Sequence, residues 1–342
     1  MHRTLTTAFI AILSCNSIFS QGDVPKYLSK HQRREALDAL RSSFSTLARL
    51  EAVGQTNGSH VYDFVISNHT RHQFLCPKVH VLADFPAGLE LLLMLASHLL
   101  REYGRDKNIT DLVSSTEIHL LFYPSVTVVR AKSSKDCAQD GKPKELNGFP
   151  DFFGERGVKT TEDSKLDNKV RFLAEWLRRG NFVLGAHIQG GLKDLIVAYG
   201  FHNSAEDGLV TPTPDDDVLR HLSKRYASRH PKIKKGTPEC SGGHLGGFPE
   251  GITPAAAWKR RRGLMEDYAY AKEGVLELVL AVSCCAVPAE TRLRELWDEN
   301  RDALLAFLSE ARRGIRGYIK GPGGAHIPGA LLTIAGRNVA FR

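Results

Sequence analysis

The sequence predicts an α/β protein whose central sheet is mixed, mainly parallel and flanked by helices on both sides. Segments with helical periodicity alternate with short apolar runs from about residue 30 to residue 312, a pattern typical of strands joined by crossover helices. The run Gly274–Val282 is apolar apart from Glu277, and strands of this kind are covered on both faces. A composition of 42% hydrophobic and 25% charged residues is that of an ordinary globular domain. In such folds we expect functional residues at the carboxyl ends of the central strands.

The amino-terminal half supplies the first elements of this pattern. Residues 30–52 have leucines at helical spacing and predict an amphipathic helix. Three short runs predict strands: Val61–Ser67, Val79–Leu82 and Ile118–Tyr123. Gly88–Leu100 is rich in leucine and lacks proline, so it predicts a buried helix between two of these strands.

The carboxyl-terminal half continues the alternation. Lys165–Arg179 predicts a helix, and Phe182–Ile188 predicts a strand after a Gly-Asn turn. Asp215–Ser228 predicts a helix whose Thr213-Pro214 start offers a capping threonine and a proline for the first turn. Glu290–Arg312 predicts the last long helix.

The two ends of the chain differ from this central part. Residues 1–20 combine a basic start with the apolar stretch Ala8–Leu13 and predict a signal peptide, hence a secreted protein. No later stretch has the roughly 18 uninterrupted apolar residues of a membrane-spanning helix, so we expect no stable membrane insertion. Residues 28–313 form the predicted main domain. Residues 314–342, with Gly-Pro-Gly-Gly turns and the run Ala330–Ile334, are expected to begin a small β domain.

Secretion changes how asparagines and cysteines are interpreted. Three N-x-S/T triplets predict glycans on exposed loops: Asn57, Asn68 and Asn108. With Cys15 inside the signal peptide, five of the six cysteines remain. An odd number outside the cell predicts at least one free or intermolecular thiol.

The net charge of +8 is concentrated in short basic runs, notably Lys232–Lys235 and Lys259–Arg262. Such runs favour extracellular acidic partners: a peptide, a protein or a polyanionic glycan. The alternative is that these runs form solvated loop or helix faces. Nucleic acid is a poor partner for a secreted chain.

A series of short motifs follows the predicted elements in order. They are Gly88-Leu-Glu-Leu-Leu-Leu93, Leu146-Asn-Gly-Phe-Pro-Asp151, Phe182–Gly191, Thr213-Pro-Asp-Asp216, Gly263-Leu-Met-Glu-Asp267 and Ser283-Cys284. Together they resemble the zinc metallocarboxypeptidases, especially the carboxypeptidase E, N and D group. The resemblance runs from about residue 30 to the end, and the final β segment is similar to the start of that group's transthyretin-like domain.

The resemblance implies a chemistry that this chain lacks the residues to perform. The family holds zinc through an H-x-x-E loop and a second His, and a separate Glu moves the proton. When the family's motifs are aligned with this sequence at the Gly88 helix, the H-x-x-E pair falls on Leu82 and Phe85. The second His falls on Gln189, and the proton-transferring Glu falls on Ala281. We therefore expect no cofactor and a non-catalytic homologue.

Some substrate-binding positions of the family retain polar residues. Asn147 matches the family's Asn, and Lys135 lies where the oxyanion Arg would be, as a point charge without the bidentate fork. Tyr270 matches the family's mobile substrate Tyr, with a half-buried packing role as the alternative.

A displaced metal site is the alternative to loss of zinc. His80 and His187 lie two residues before positions that lost a ligand, and Asp84 is close to the first. Zinc bound there would give an active carboxypeptidase that removes C-terminal, basic residues. Two residues span about 6.6 Å along a strand, however, which directs these side chains back toward the core.

The resemblance also implies a disulfide between Cys240 and Cys284, which leaves Cys285 as the extra thiol. Pairing of Cys240 with Cys285 is the alternative. The leading hypothesis is a secreted homologue that binds its partner through the cleft or the basic surface; a fold kept only as an extracellular spacer is a third interpretation.

Overall fold

The computed structural model describes residues 25–56, 58–68, 76–123, 146–150, 166–204, 210–315, 317, 319–327, 330, 332–333 and 340–341. The helices are α1 (Lys30–Ser43), α2 (Pro86–Glu102), α3 (Lys107–Ser115), α4 (Arg171–Gly180), α5 (Asp216–Ala227), α6 (Ala255–Trp258), α7 (Met265–Glu273) and α8 (Leu293–Glu310). The strands are β1 (Ala48–Thr56), β2 (Ser59–Ile66), β3 (Lys78–Ala83), β4 (Glu117–Phe122), β5 (Leu184–Gly190), β6 (Ile196–Tyr199), β7 (Ile252–Pro254), β8 (Leu276–Ser283), β9 (Leu332–Thr333) and β10 (Ala340–Phe341).

Eight strands form one mixed sheet in the order β1-β2-β4-β3-β5-β8-β6-β7. The four central strands β4, β3, β5 and β8 are parallel. On one side of them, β2 is antiparallel to both β4 and β1. On the other side, β6 is antiparallel to β8 and parallel to β7. The predicted fold class, a mixed and mainly parallel sheet flanked by helices, is therefore confirmed.

The two faces of the sheet bury separate apolar clusters. Alternate residues of one strand face opposite sides, so Val81 belongs to the larger cluster with α2 and α8, whereas Leu82 belongs to the cluster beneath α4 and α7. Helix α2 is buried along almost its whole length. This explains why the apolar residues of Gly88–Leu100 show no polar face.

Most predicted elements are confirmed with small shifts at their ends. The helix predicted over Lys165–Arg179 begins only at Arg171, and the predicted helix over residues 30–52 is wrong in its second half. Helix α1 ends at Ser43, and Ala48–Thr56 forms β1, which pairs antiparallel with β2. Leu47 and Leu50 satisfy the helical spacing, yet backbone pairing with β2 decides the structure here. The ladder is irregular between Ala52 and Gly54.

The start of α5 also differs from the prediction. Its N-cap is Asp215, which makes no side-chain capping hydrogen bond, so Thr213 is not the cap. The last helix is preceded by a 3₁₀ turn at Glu290–Arg292 and begins at Leu293.

Near the carboxyl terminus, β9 and β10 pair antiparallel, in the segment expected to begin a transthyretin-like domain; that domain stays a prediction. Within the described ranges, no helix is long and apolar enough to cross a membrane.

Candidate functional site

The carboxyl ends of β3, β5 and β8 lie side by side at one edge of the sheet. Leu82 of β3 is paired with His187 of β5, and Gln189 of β5 is paired with Ala281 of β8. Phe85 follows two residues after the end of β3, at the N-cap of α2. The structure thus brings together the four positions at which the resemblance implies the family's three zinc ligands and its proton-transferring Glu.

Three of the four side chains at these positions are packed as core, and Gln189 is half-buried. Leu82 and Ala281 are fully buried, and Phe85 is 1% exposed. A Cβ on Gly190 would lie 2.2 Å from the Phe85 ring, and a Cβ on Gly88 would lie 2.4 Å from it. The ring of Phe85 therefore fills the space that the two glycines leave between β5 and α2.

A buried charge cluster lies directly behind this edge. The Nδ1 of His187 is 2.6 Å from a carboxylate oxygen of Glu266, and its Nε2 is 3.3 Å from one of Asp84. Burial disfavours a charged imidazole, but the two carboxylates outweigh it and raise the pKa of His187 to about 10. His187 is therefore a cation held between two anions at neutral pH. The amide of Gln189 lies 3.2 Å from the same Nδ1.

His80 is held in a different pair. Its Nε2 is 3.0 Å from a carboxylate oxygen of Glu277, both side chains are buried, and the imidazole packs edge-on against Trp176. A Cβ on Gly185 would lie 1.8 Å from that Glu277 oxygen and 2.3 Å from His80 Nε2. The pair connects β3 to β8, and it can cross the intervening strand β5 because Gly185 has no side chain.

The structure thus does not bring His80, Asp84 and His187 together as the displaced site would require. Asp84 contacts His187, whereas His80 contacts Glu277. In the part of the chain that the structure describes, no group of three or more His, Cys, Asp or Glu side chains has an arrangement suited to a metal ion.

A further buried network lies nearer the amino ends of the strands and was not identified from the sequence. His119 donates from Nδ1 to Asp63 at 2.7 Å, and its Nε2 is 3.0 Å from Glu117. Trp176 donates to the same Asp63 oxygen at 2.8 Å. Burial lowers the pKa of His119, but the carboxylates prevail and raise it to about 9. The two-residue spacing of Glu117 and His119 on an apolar strand was the available signal.

Tyr270 is a half-buried residue of α7. Its hydroxyl donates to Asp215 at 2.9 Å and its ring packs edge-on against Phe201. Burial and Asp215 raise the pKa of Tyr270 to about 12, so the hydroxyl stays protonated. Asn147 is exposed and its backbone forms a bridge with Leu264. Lys135 lies outside the described residues.

The predicted disulfide between Cys240 and Cys284 is confirmed, with the two Cα atoms 5.5 Å apart. The alternative pairing of Cys240 with Cys285 is wrong. Cys285 is itself disulfide-bonded, so its assignment as the extra thiol is also wrong. The Cys240–Cys284 bond ties the preceding loop to the end of β8, three residues after Ala281.

The predicted glycan acceptors differ in setting. Asn68 is exposed just after β2. Asn108 is exposed too, but it lies in the first turn of α3 and not on a loop as expected, because the carboxylate of Asp106 caps that helix by accepting from the backbone N–H of Asn108. Asn57 falls outside the described residues.

Some side chains of the basic runs form ion pairs or hydrogen bonds within the fold. Lys232 pairs with Glu295 and Glu299 of α8. Arg260 donates to the side chain of Asn203 and to the carbonyl of Ser204. Arg262 is the exposed member of its run.

Comparison with known proteins agrees with this fold. The chain matches the family model described as zinc carboxypeptidase over residues 34–128 and 129–303. It is 34% identical to human carboxypeptidase D over 278 residues, which covers 75% of this chain but 19% of that protein. It is 29% identical to mouse carboxypeptidase M over 330 residues, or 90% of this chain and 72% of that one.

Solved structures show the same architecture. A bovine thrombin-activatable fibrinolysis inhibitor, in complex with a tick carboxypeptidase inhibitor, matches 84% of this chain and 97% of its own with a TM-score of 0.60 at 10% identity. Carboxypeptidase A from Helicoverpa armigera matches 90% of this chain and 80% of its own, also with a TM-score of 0.60, at 11% identity.

Proposed function

Because this chain belongs to the zinc carboxypeptidase family, we propose that it is a secreted, non-catalytic member that binds a peptide or protein at the carboxyl edge of the sheet. The observation that carries the proposal is the set of side chains gathered at that edge. Secretion rests on the predicted signal peptide in residues 1–20.

The residues at the registered positions do not fit a zinc ion. Zinc in proteins is held by imidazole, thiolate or carboxylate donors, and Leu82 and Phe85 have no donor atom. The amide of Gln189 is a weak ligand beside imidazole, and Ala281 has no group to accept a proton. In addition, the Phe85 ring occupies the space between Gly88 and Gly190.

Two positions that the resemblance assigns to substrate binding carry groups suited to that role. The protonated Tyr270 hydroxyl is a hydrogen-bond donor, held by Asp215 until a ligand oxygen replaces that carboxylate. Asn147 is exposed and offers an amide. These groups recognise peptide oxygens without any need for a reactive centre.

The proposal is tested by zinc content and peptidase activity of the purified protein in one preparation. After dialysis against zinc, we expect less than stoichiometric metal and no amino acid released from a peptide that ends in Lys or Arg. One zinc per chain together with turnover contradicts the proposal and favours the displaced site. His80→Ala and His187→Ala variants then identify the ligands.

A variant designed to gain zinc binding tests whether the family's ligand positions are correctly aligned with this sequence. The triple variant Leu82→His, Phe85→Glu, Gln189→His restores the family's three donors and should bind zinc more tightly than the wild type. The matched control carries Gln at position 85 and lacks the carboxylate, so it should bind more weakly. Equal zinc binding by the triple variant, its control and the wild type contradicts the register.

A second candidate is binding of a polyanionic glycan, favoured by the net charge of +8 and the exposed side chain of Arg262. Retention on heparin should fall as salt is raised. If replacement of the Lys259–Arg262 run leaves retention unchanged, this surface is not the site.

A further inference from the structure

A cavity of about 290 Å³ lies between the start of α1, the start of β2 and the end of β4. It lies on the same edge of the sheet as the site described above, because β2 begins where the antiparallel β4 ends. None of its lining residues is among Leu82, Phe85, Gln189 and Ala281. It is therefore a separate feature of this edge.

Basic side chains line part of the cavity, and no carboxylate is among its lining residues. The ammonium of Lys30 donates to Ser59 at 2.5 Å and has no ion pair within the described ranges. The guanidinium of Arg34 lies 4.6 Å from the centre of the Tyr62 ring and also pairs with Asp38. The imidazole of His60 is a further lining group.

Arg33 supplies the deepest charge. Its side chain is 8% exposed, and one terminal nitrogen donates to Glu90 at 2.7 Å and to a backbone carbonyl. Its Nε, however, is buried without a hydrogen-bond partner among the described residues. An unmet buried donor costs about 1–3 kcal/mol, but this Nε is closed to solvent and is not itself a ligand contact; Arg33 contributes its positive charge to the lining of the cavity.

The rest of the lining is apolar and partly aromatic. It consists of Tyr62, Leu89 and Phe122, together with Leu37 of α1. The volume is near the lower end of the range for small-ligand sites, about 300–1,000 Å³. An anion alone leaves these side chains without a contact, whereas a ring packs against them.

We propose that this cavity binds a small organic anion, namely a carboxylate, sulfate or phosphate group carried on a single ring. The anionic group meets Lys30, Arg33 and Arg34, and the ring packs against Tyr62 and Phe122. The site shares no residue with the proposed peptide-binding edge, so either assignment can fail while the other holds.

The test is isothermal titration of the full chain with phenyl phosphate, phenyl sulfate and benzoate. We expect saturable 1:1 binding of at least one of them, at least tenfold tighter than inorganic sulfate and weakened by added salt. The rank among the three identifies the preferred anion. Phenol and benzylamine, which keep the ring without the negative charge, should not bind measurably.

Variants locate the binding. Lys30→Gln and His60→Gln change exposed side chains and should weaken binding at least fivefold with an unchanged circular dichroism spectrum. Lys107→Gln removes a similarly exposed lysine on α3 and should bind as the wild type does. Absence of saturable binding, or equal affinity in all three variants, overturns the assignment.

Discussion

Replacement of Gly185 by Ala should disrupt the buried contact between His80 and Glu277 that crosses β5. The new methyl carbon would lie 1.8 Å from a Glu277 oxygen and 2.3 Å from His80 Nε2. Both partners are buried, and the His80 imidazole packs edge-on against Trp176 and Phe182. Neither can move to solvent, so the pair must separate within the core.

The magnitude follows from two opposing effects. Separating the pair leaves a buried polar atom of each side chain without a partner, at a cost of about 1–3 kcal/mol per atom. Alanine is otherwise favoured over glycine within a strand by about 0.5–1 kcal/mol. We therefore expect the free energy of unfolding to fall by about 1–5 kcal/mol, a large part of the roughly 5–15 kcal/mol of a typical domain.

Urea unfolding followed by tryptophan fluorescence measures this change, since Trp176 contacts His80 directly. Gly246→Ala is the matched control, because no heavy atom lies within 4 Å of its added Cβ; it should stay within about 0.5 kcal/mol of the wild type. The same small change in Gly185→Ala refutes the reasoning. In a background that already lacks the pair, His80→Ala with Glu277→Ala, the cost of Gly185→Ala should shrink.

Three further predictions concern other buried features. His119 has a pKa of about 9 against an ordinary 6.5. Its contribution to the free energy of unfolding, up to about 3 kcal/mol, is therefore complete below about pH 6.5 and is lost as the pH rises to 9. If a His119→Asn variant loses as much unfolding free energy as the wild type over this pH range, the prediction is contradicted. Replacing Cys240 and Cys284 by Ser opens a loop of 44 residues and should lower the unfolding free energy by about 2–4 kcal/mol in urea, whereas an unchanged urea midpoint contradicts a stabilising role. Phe85→Ala should cost about 3–5 kcal/mol by calorimetry because it leaves a cavity beside Gly190, and a loss under 1 kcal/mol shows that the ring is not core.

Much of the fold could be predicted because its strands are short apolar runs separated by strong turn signals. Asn181 adopts the left-handed conformation at the end of α4, as the Gly-Asn turn indicated. Gly88–Leu100 predicted α2 for the same reason, since a proline-free leucine run has few alternatives. These signals are local in sequence.

The errors arise where distant pairing decides the structure. Leucine spacing alone extended α1 through residues that instead pair with β2. The contact of His187 with Glu266 joins residues 79 apart in the chain, and no local pattern reveals it. The disulfide state of Cys285 likewise depends on a spatial neighbour.

In the candidate site, too, local motifs could be predicted from the sequence and contacts between distant residues could not. The motifs were sufficient to place Leu82, Phe85, Gln189 and Ala281 at one edge, because each lies at a fixed distance from a recognisable strand or helix. They gave no indication that His80 and Glu277 pair over Gly185, since that depends on three strands being adjacent. Whether the edge lacks metal and activity stays a prediction for the experiments above.

Strand β1 has a consequence for behaviour at high concentration. An edge strand exposes unpaired backbone groups that can template association with another chain. Here the ladder is irregular between Ala52 and Gly54, and Arg49 lies near both Glu51 and Glu117. A bulge and charged side chains are the usual protections against edge-to-edge aggregation. Variants that remove the charges at Arg49 and Glu51 are therefore those in which fibrils or precipitate should first appear.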